Sequence, residues 1–220
     1  MSEPRLSRWC EVSIHVYTGT PGSGKSLHAA SDIRFQLTRR YPRPVIANFP
    51  LGSRAPVSKK VAEKYFTYIP NDEMSASRIT GIAEEWWSSP SHDFQEDYIT
   101  LVIDECQLLF NSRLWNQQSR MSYLEFLSQS RKYGIKVILI AQATKMIDNQ
   151  FRMLVEIEHN HRRISSFGPI GGALALPFGG RLFLIVRYLS QCSERLGMST
   201  FRGTKKDLLM YDSYVRFNQA

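Results

Sequence analysis

The spacing of apolar residues changes early in the chain. Residues 12–17 read VSIHVY and alternate between apolar and polar side chains, which predicts a β-strand. From Leu27 to Leu37 apolar residues recur at near-helical spacing, which predicts a helix that ends near residues 39–42. The glycine-rich stretch at 19–26 is therefore predicted to join a strand to a helix.

Short apolar runs and helical patterns continue to alternate along the rest of the chain. Strands are predicted at 45–49, 98–105, 135–141, 153–158 and 182–186. Helices are predicted at 57–65, 79–88 and 121–133, with a short one at 144–151. The apolar run that starts at Tyr98 is nearly continuous, which is typical of a parallel strand buried on both faces. This order predicts an α/β fold whose mostly parallel sheet is flanked by helices.

The ends of the chain are expected to differ from this core. Residues 1–10 are predicted to be a loose leader, and the glycine-rich connection before the strand at 182–186 need not be ordered. Residues 160–220 form a basic C-terminal extension that includes this last strand. The whole chain, 1–220, is predicted to be a single domain, because its length suits one core and nothing in it repeats.

The candidate chemistry begins at the glycine-rich turn, which reads GTPGSGKS and fits the phosphate-loop pattern in full. Glycines at 22 and 24 permit positive φ, so successive N–H groups can point at a phosphate near a helix N-terminus. Lys25 would reach the β- and γ-phosphates, and Ser26 would bind Mg²⁺. The predicted nucleotide-binding residues are Gly19, Thr20, Pro21, Gly22, Ser23, Gly24, Lys25, Ser26 and Leu27. The alternative is a glycine-rich turn without a ligand.

Two carboxylates follow the apolar strand that starts at Tyr98. Asp104 and Glu105 stand at its carboxyl end, which is where ligands bind in open α/β sheets. Asp104 is predicted to hold Mg²⁺, and Glu105 to polarise the water that attacks the γ-phosphate. The alternative is that one of them only caps the next segment.

A polar residue also ends the strand at 135–141. Gln142 follows this strand, which is expected beside the strand that carries Asp104. A side chain in that position can detect the γ-phosphate, so Gln142 is a candidate sensor. The alternative role is a cap at the protein surface.

Composition narrows the possible classes of protein. The 28 basic and 20 acidic residues give a net charge of +8, and residues 160–220 hold 9 of the basic residues against 3 acidic ones. Such an end can meet nucleic acid, anionic lipid or an acidic partner, or it can be a solvated surface. The three cysteines have no C-x-x-C spacing, so neither a disulfide framework nor a zinc site is expected. No signal peptide or membrane helix is expected either.

Several motifs together resemble the N-terminal ATPase domain of the zonula occludens toxin (Zot) family, which includes the gene I assembly protein of filamentous phages. The motifs are GTPGSGKSLHA, VIAN at 45–48, LVIDECQLLF at 101–110, SRKYGIKVILIAQ at 130–142, IDNQFRMLVE at 147–156 and YDSY at 211–214. They occur in order along nearly the whole chain. The phosphate loop is common to many NTPases, so the other motifs carry the resemblance.

The resemblance implies an ATPase, with ATP and Mg²⁺ as cofactors, that drives virion assembly and extrusion. Such a domain is expected on the cytoplasmic face of the host inner membrane, with phage assembly or inner-membrane proteins, single-stranded DNA or the virion as partners. The resemblance also implies the phosphate-loop class that has an additional strand and a catalytic glutamate. This class includes homo-oligomeric rings in which a neighbour supplies an arginine to each site. Arg131 and Arg152 are the candidates, and the alternative for each is a structural or solvated arginine.

Three other functions stay open at this stage. The first is a DNA-translocating or packaging motor, whose DNA affinity would fall steeply with salt. The second is a toxin-like interaction module in which the nucleotide site is only structural. The third is a small-molecule kinase, although a kinase lid would need clustered arginines and the sequence offers only the pair Arg162 and Arg163 after the core.

Overall fold

A computed structural model describes residues 14–110 and 117–211 of the chain. The predicted leader at 1–10, the first two residues of the predicted strand at 12–17, and residues 212–214 of the last motif lie outside the described residues. Among the described residues, no helix is both long enough and apolar enough to cross a lipid bilayer.

The strands are β1 (Ile14–Thr18), β2 (Val45–Ala47), β3 (Phe66–Tyr68), β4 (Ile99–Ile103), β5 (Ile135–Ile140), β6 (Ile157–Arg163), β7 (Leu182–Leu189) and β8 (Glu194–Arg202). The α-helices are α1 (Lys25–Thr38), α2 (Lys59–Tyr65), α3 (Ala76–Trp87), α4 (Gln117–Gln129), α5 (Asn149–Leu154), α6 (Gly168–Ala175) and α7 (Lys205–Met210). Short 3₁₀ turns stand at 106–108, 130–133, 144–146, 164–166 and 176–178.

All eight strands belong to one sheet in the order β3-β2-β4-β5-β1-β6-β7-β8. Strands β1 to β6 run parallel to one another, whereas β7 is antiparallel to β6 and β8 is antiparallel to β7. Strand β5 lies between β1 and β4, so the additional strand that the resemblance implied is present. The predicted fold class, a mostly parallel sheet with a C-terminal extension of strands, is confirmed.

The two faces of the sheet are covered by different helices. One face packs under α3, α4 and α5 through residues such as Ile79, Leu127 and Phe151. The other face packs under α1 through Ile33 and Leu37, and Met210 of α7 joins the same cluster. Strand β4 is buried over its whole length, as its continuous apolar run predicted.

The predicted strand at 153–158 is wrong in its position. Residues 153 and 154 still belong to α5, and β6 extends instead through the polar run 157–163. This strand reads IEHNHRR, so it lacks the apolar alternation on which a sequence-based prediction depends. Its backbone is paired on both sides, with β1 and β7, which sustains the strand despite its polar composition.

The glycine-rich connection between β6 and β7 is ordered in the structure. A 3₁₀ turn, α6 and a second 3₁₀ turn fill residues 164–178, and the N–H of Gly180 donates to the carbonyl of Ala175 at 2.9 Å. Strand β8 was not predicted, because its sequence ERLGMSTFR is largely polar and exposed.

Candidate nucleotide-binding site

The carboxyl ends of the central strands meet along one edge of the sheet. The register places Tyr17 of β1 beside Ile140 of β5, and Leu139 of β5 beside Ile103 of β4. The loop at 19–24, Asp104 and Gln142 each follow one of these strand ends. The three segments that the sequence singled out therefore share one edge, where parallel α/β sheets bind ligands.

The phosphate loop has the backbone geometry that its glycines predicted. Gly22 and Gly24 have φ values of 75° and 92°, in the left-handed region. A Cβ at Gly19, where φ is 139°, would lie 2.3 Å from the carbonyl oxygen of His161. A Cβ at Gly24 would lie 2.6 Å from the ring of Phe183. Strands β6 and β7 thus pack directly against the loop, and a side chain at either glycine would collide with one of them.

Lys25 folds back over the loop. Its Nζ donates to the carbonyl oxygens of Gly19 at 2.7 Å and Thr20 at 3.1 Å. Burial lowers the pKa of Lys25, while the negative charges of Glu105 and Asp104 act in the opposite direction. The ammonium group is therefore held inside the loop, close enough to both carboxylates to feel their charge.

The loop also has an unused hydrogen-bonding group. Ser23 is buried, and within the described part of the chain its Oγ has no hydrogen-bond partner. A buried hydroxyl without a partner is costly, unless a ligand completes it. A phosphate oxygen in the loop would be such a partner, so the donor set of the loop fits a nucleotide phosphate. Ser26 lies at the start of α1 and is partly exposed.

Asp104 is held in place by Asn48, which follows β2. The side-chain oxygen of Asn48 accepts from the N–H of Asp104 at 2.7 Å, and its Nδ2 donates to the carbonyl of Asp104 at 2.8 Å. Asn48 Nδ2 also donates to Oδ1 of Asn71 at 2.7 Å. This role was not predicted, although an asparagine directly after a buried strand, within the VIAN motif, was the available signal.

The carboxylate of Asp104 has two further contacts. Its Oδ1 accepts from the N–H of Glu105 at 2.9 Å, and its Oδ2 accepts from the hydroxyl of Tyr211 at 3.0 Å. Tyr211 follows α7, which is tied to the phosphate-loop helix by a 2.6 Å ion pair between Arg34 and Asp207. The end of the described chain therefore reaches the carboxylate that is expected to bind the metal. The YDSY motif that begins at Tyr211 was noted only as part of the resemblance, and this contact was not predicted from it.

Glu105 has an unusual backbone conformation for a residue with a side chain. Its φ and ψ of 50° and 44° lie in the left-handed region, which costs a residue other than glycine about 1–2 kcal/mol. Its side chain accepts a hydrogen bond from Gln107. Strain of this kind is maintained only where the surrounding structure enforces it, and it often marks functional positions.

Gln142 stands at the mouth of a cavity beside the phosphate loop. Its carbonyl accepts from the N–H of Gly19 at 3.2 Å, and its side chain is exposed. The cavity measures about 500 Å³, and its lining includes the loop residues 19–23, Gln142, the 160–163 end of β6 and Ser166. Arg162 and Arg163 were predicted only as an isolated pair, but the structure places both at the rim of this cavity.

The two predicted arginine fingers lie far from the phosphate loop of their own chain. Arg131 stands just before the amino end of β5 and forms a 3.1 Å ion pair with Glu156, just before the amino end of β6. Arg152, on α5, donates to Asn149 at 2.6 Å and lines a cavity with Ser190 at the same edge of the sheet. The structure therefore does not bring either arginine to the phosphate loop of its own chain.

Four of the five histidines cluster beside the phosphate loop, an arrangement that was not predicted. His15 and His159 share a hydrogen bond of 3.0 Å, and His28 and His161 share one of 2.8 Å. Tyr17 stacks on His28 at 4.8 Å between ring centroids. Although several imidazoles meet here, no group of three or more potential metal ligands suited to a metal ion occurs in residues 14–110 and 117–211.

Burial keeps three histidines of this cluster, His28, His159 and His161, uncharged near neutral pH. Burial, together with the neighbouring histidines, lowers the pKa of His159 to about 2 and that of His161 to about 3. The hydroxyl of Tyr17 donates to Asp32 at 2.7 Å, and burial raises the pKa of Asp32 to about 6. These three histidines therefore pack as neutral aromatic groups where β1, β6 and α1 meet.

The comparison with known proteins agrees with this architecture. The N-terminal domain of zonular occludens toxin from Neisseria meningitidis is 19% identical, with a TM-score of 0.53 over 91% of this chain and 99% of that one. The genome packaging NTPase B204 from Sulfolobus turreted icosahedral virus 2, in complex with AMPPCP, is 15% identical, with a TM-score of 0.53 over 88% of this chain and 98% of that one. These two likenesses support the fold.

Sequence relatives lead to the family. The Gene 1 protein of Enterobacteria phage I2-2 is 30% identical over 186 residues, which cover 80% of this chain and 50% of that protein. The chain thus spans about half the length of this relative. The family described as zonular occludens toxin (Zot) matches residues 13–216. The predicted resemblance is confirmed, and the chain belongs to the Zot family.

Proposed function

We propose that this chain is an ATPase that binds ATP with Mg²⁺ and removes the γ-phosphate by attack of water. The observation that carries the proposal is the shared edge at which the glycine loop, Lys25 and the Asp104–Glu105 pair meet. The unpartnered hydroxyl of Ser23 supports a phosphate ligand in the loop. Hydrolysis would drive phage assembly and extrusion at the inner membrane, as the similarity to phage Gene 1 proteins suggests.

The residues would divide the chemistry as follows. Loop N–H groups and Lys25 neutralise the phosphate charge, and Lys25 must exchange its carbonyl partners for phosphate oxygens when ATP binds. Ser26 and Asp104 would hold Mg²⁺, which supplies charge neutralisation between the phosphates. Asn48 fixes the backbone of Asp104, so the carboxylate keeps its direction.

Glu105 would orient the attacking water and accept its proton. Its left-handed backbone sets the direction of the side chain at the turn after β4. Gln142 would detect the γ-phosphate from the next strand and pass its state to the segment that leads to Arg152. The loop and Gln142 share the 3.2 Å hydrogen bond at Gly19, which supports this link.

The missing positive charge would come from a second copy of the chain. Arg131 and Arg152 lie at the amino edge of the sheet, so a homo-oligomeric ring would present them to the site of the next subunit. A neighbour's arginine can accelerate phosphoryl transfer strongly by stabilising the transition-state charge.

A DNA-translocating motor is the second candidate. It is favoured by the exposed Arg162 and Arg163 at the rim of the cavity, within a basic C-terminal region. Single-stranded DNA binding that weakens steeply with salt would support it, and binding that is absent or independent of salt would remove it.

The proposal is tested by ATPase turnover of the purified chain over a range of protein concentrations. We expect turnover per subunit to rise with concentration, Lys25→Ala to lose tight nucleotide binding, and Glu105→Gln to bind ATP while turning over at least about a hundredfold more slowly. Wild-type affinity in Lys25→Ala would contradict the site. Unchanged turnover in Glu105→Gln would leave that residue a capping role.

A mixing experiment tests the arginines separately. Lys25→Ala and Arg131→Ala are each expected to be inactive alone, and mixing them should restore activity because intact sites form between different subunits. The same mixture is made with Arg152→Ala. Arg40→Ala, an exposed arginine beyond α1, serves as the control and should retain activity alone. If no mixture recovers activity, neither arginine acts on a neighbour.

A further inference from the structure

The connection between β6 and β7 contains a long uncharged stretch. Residues 164–180 read ISSFGPIGGALALPFGG, and the nearest charged residues are Arg163 on one side and Arg181 on the other. In the structure this stretch is a compact lobe. A Cβ at Gly171 would lie 2.2 Å from the carbonyl oxygen of Ile164, so α6 packs tightly on the preceding turn. The stretch is a built element with its own packing.

The lobe turns large apolar side chains outward. Ile170 is 77% exposed, Leu176 75%, Leu174 60% and Phe167 47%. Ala175 is buried within the lobe, so the lobe has an inner side and an outer side. Exposed apolar clusters of this kind usually mark a surface that binds a protein or a membrane.

Arginines surround the root of the lobe. Arg163 donates from Nε to the carbonyl oxygen of Gly180 at 3.2 Å, which joins the two ends of the stretch. Arg181 follows directly, and the guanidinium of Arg202 lies 4.9 Å from the ring centroid of Phe178. The sequence contains no aspartate or glutamate from 159 to 193, so positive charge here is not balanced by acidic neighbours in the sequence.

We propose that the lobe 164–180 inserts into the surface of an anionic lipid bilayer, with α6 in the interface and the arginines at its root on lipid phosphates. An apolar tip above a ring of cations matches the two layers of such a surface, the acyl region and the headgroups. Aliphatic side chains gain free energy on leaving water, and each arginine gains from the negative surface potential.

The charges favour lipid over a second copy of the chain as the occupant. The chain has a net charge of +8, so a second copy would bring like charge to this basic root. Nucleic acid would bind the arginines, but it offers no apolar layer for the exposed aliphatic side chains of the lobe. An anionic bilayer satisfies both features. This inference does not depend on ATP hydrolysis, and its test uses no nucleotide.

The test is sedimentation of the whole chain with vesicles of phosphatidylcholine, alone or mixed with phosphatidylglycerol. We expect binding to the mixed vesicles, weaker binding at high salt, and little binding to phosphatidylcholine alone. The triple variant I170S/L174S/L176S should bind the mixed vesicles at least about tenfold more weakly, because it loses three inserting side chains. Failure of the wild-type chain to bind the mixed vesicles overturns the proposal.

A matched control separates the lobe from apolar exposure in general. F35S/M121S/M153S removes three side chains that are 60%, 64% and 66% exposed elsewhere on the chain, and it should bind the vesicles as wild type does. Equal losses in both triple variants would overturn the proposal. Size-exclusion chromatography of both variants tests whether a second copy of the chain binds the lobe instead of lipid. If only the lobe variant loses an oligomer while vesicle binding is unchanged, the lobe contacts a second copy and the proposal is wrong.

A measurement on the unaltered chain covers the case in which a variant misfolds. Hydrogen exchange of the wild-type protein should slow at residues 168–176 when the mixed vesicles are added, because the bilayer covers α6. Amides of α4, on another part of the surface, should exchange as before. Slowing at α4 alone, or no slowing at α6 while the protein sediments, would contradict insertion of the lobe.

Discussion

The strands on the two sides of β1 differ in composition and in burial. On one side, which we call the apolar side, β2, β4 and β5 are short apolar strands that are almost completely buried in the core. On the other side, which we call the polar side, β6 and β8 are largely polar and β7 is apolar, but all three strands are only partly buried. Strand β1 joins the two sides and leads into the phosphate loop.

The difference shows how the candidate site is supported. The apolar side gives stiffness and positions the carboxylates and Gln142 at strand ends. The polar side closes on the loop from the opposite direction, through the backbone of His161 at Gly19 and the ring of Phe183 at Gly24. Hydrogen bonding and neutral histidines replace part of the apolar packing there. The two sides should therefore respond differently to mutation and to pH.

The largest effect is expected on the apolar side, at Asn48. Asn48→Ala removes the three hydrogen bonds by which Asn48 holds the N–H and carbonyl of Asp104 and the side chain of Asn71. A buried polar group that loses its hydrogen-bond partner destabilises the folded state by about 1–3 kcal/mol. We therefore expect Asn48→Ala to lower the free energy of unfolding by about 2–4 kcal/mol. Urea denaturation measures it. Asn71→Ala removes only one of these bonds and should cost about 1 kcal/mol; equal losses in both variants would contradict the clamp.

The second effect belongs to the polar side and appears on acidification. His159 has a folded pKa of about 2 against 6.5 for an ordinary histidine, so the folded state resists a proton that the unfolded chain accepts. The stabilisation is complete above pH 6.5 and is lost as the pH falls. At pH 5 the loss is about 2 kcal/mol for this one residue. His161 acts in the same direction, with a folded pKa of about 3.

Other charged groups around the cluster modify this loss. The positive charges of Lys136 and Lys25 disfavour protonation of the histidines. Asp32 changes the pH dependence in the opposite direction through its own titration. Its folded pKa of about 6 lies above the ordinary 3.8, so below pH 6 the folded state gains a proton at Asp32 and offsets part of the loss.

Urea denaturation at pH 7 and pH 5 isolates the histidine effect. The wild-type chain should lose about 2 kcal/mol more than His159→Gln between these two pH values. His92→Gln, which alters the histidine outside the cluster, should lose as much as wild type does. The same loss in all three proteins would mean that the cluster is not what acid destabilises.

The smallest effect concerns the backbone strain at Glu105, which can be measured separately from the loss of its carboxylate. Glu105→Gly and Glu105→Ala both remove the proposed catalytic group, so both should lack ATPase turnover. They differ in the Cβ that the left-handed backbone disfavours, so Glu105→Gly should be more stable than Glu105→Ala by about 1 kcal/mol. Equal urea midpoints would show that this turn relaxes in the absence of the side chain.

Most of the apolar side could be predicted from the sequence. The run at 99–103 is buried at every position, and a buried parallel strand requires that pattern. The phosphate loop was equally readable, because positive φ strongly favours glycine, and the glycines occur at fixed offsets. The placement of Asp104 and Gln142 on one edge followed from parallel strands, whose carboxyl ends coincide.

The polar side was decided by tertiary structure. Strand β6 is stabilised by neighbours on both sides, and its IEHNHRR sequence has no periodicity that would reveal this. The contact between Tyr211 and Asp104 joins residues that are 107 positions apart, and the histidine cluster assembles from three elements. Sequence by itself determined the elements of the apolar side and the glycine loop that is predicted to bind phosphate, because those depend on local backbone and burial requirements. Only the tertiary structure decided what surrounds them, because contacts between distant segments leave no local pattern.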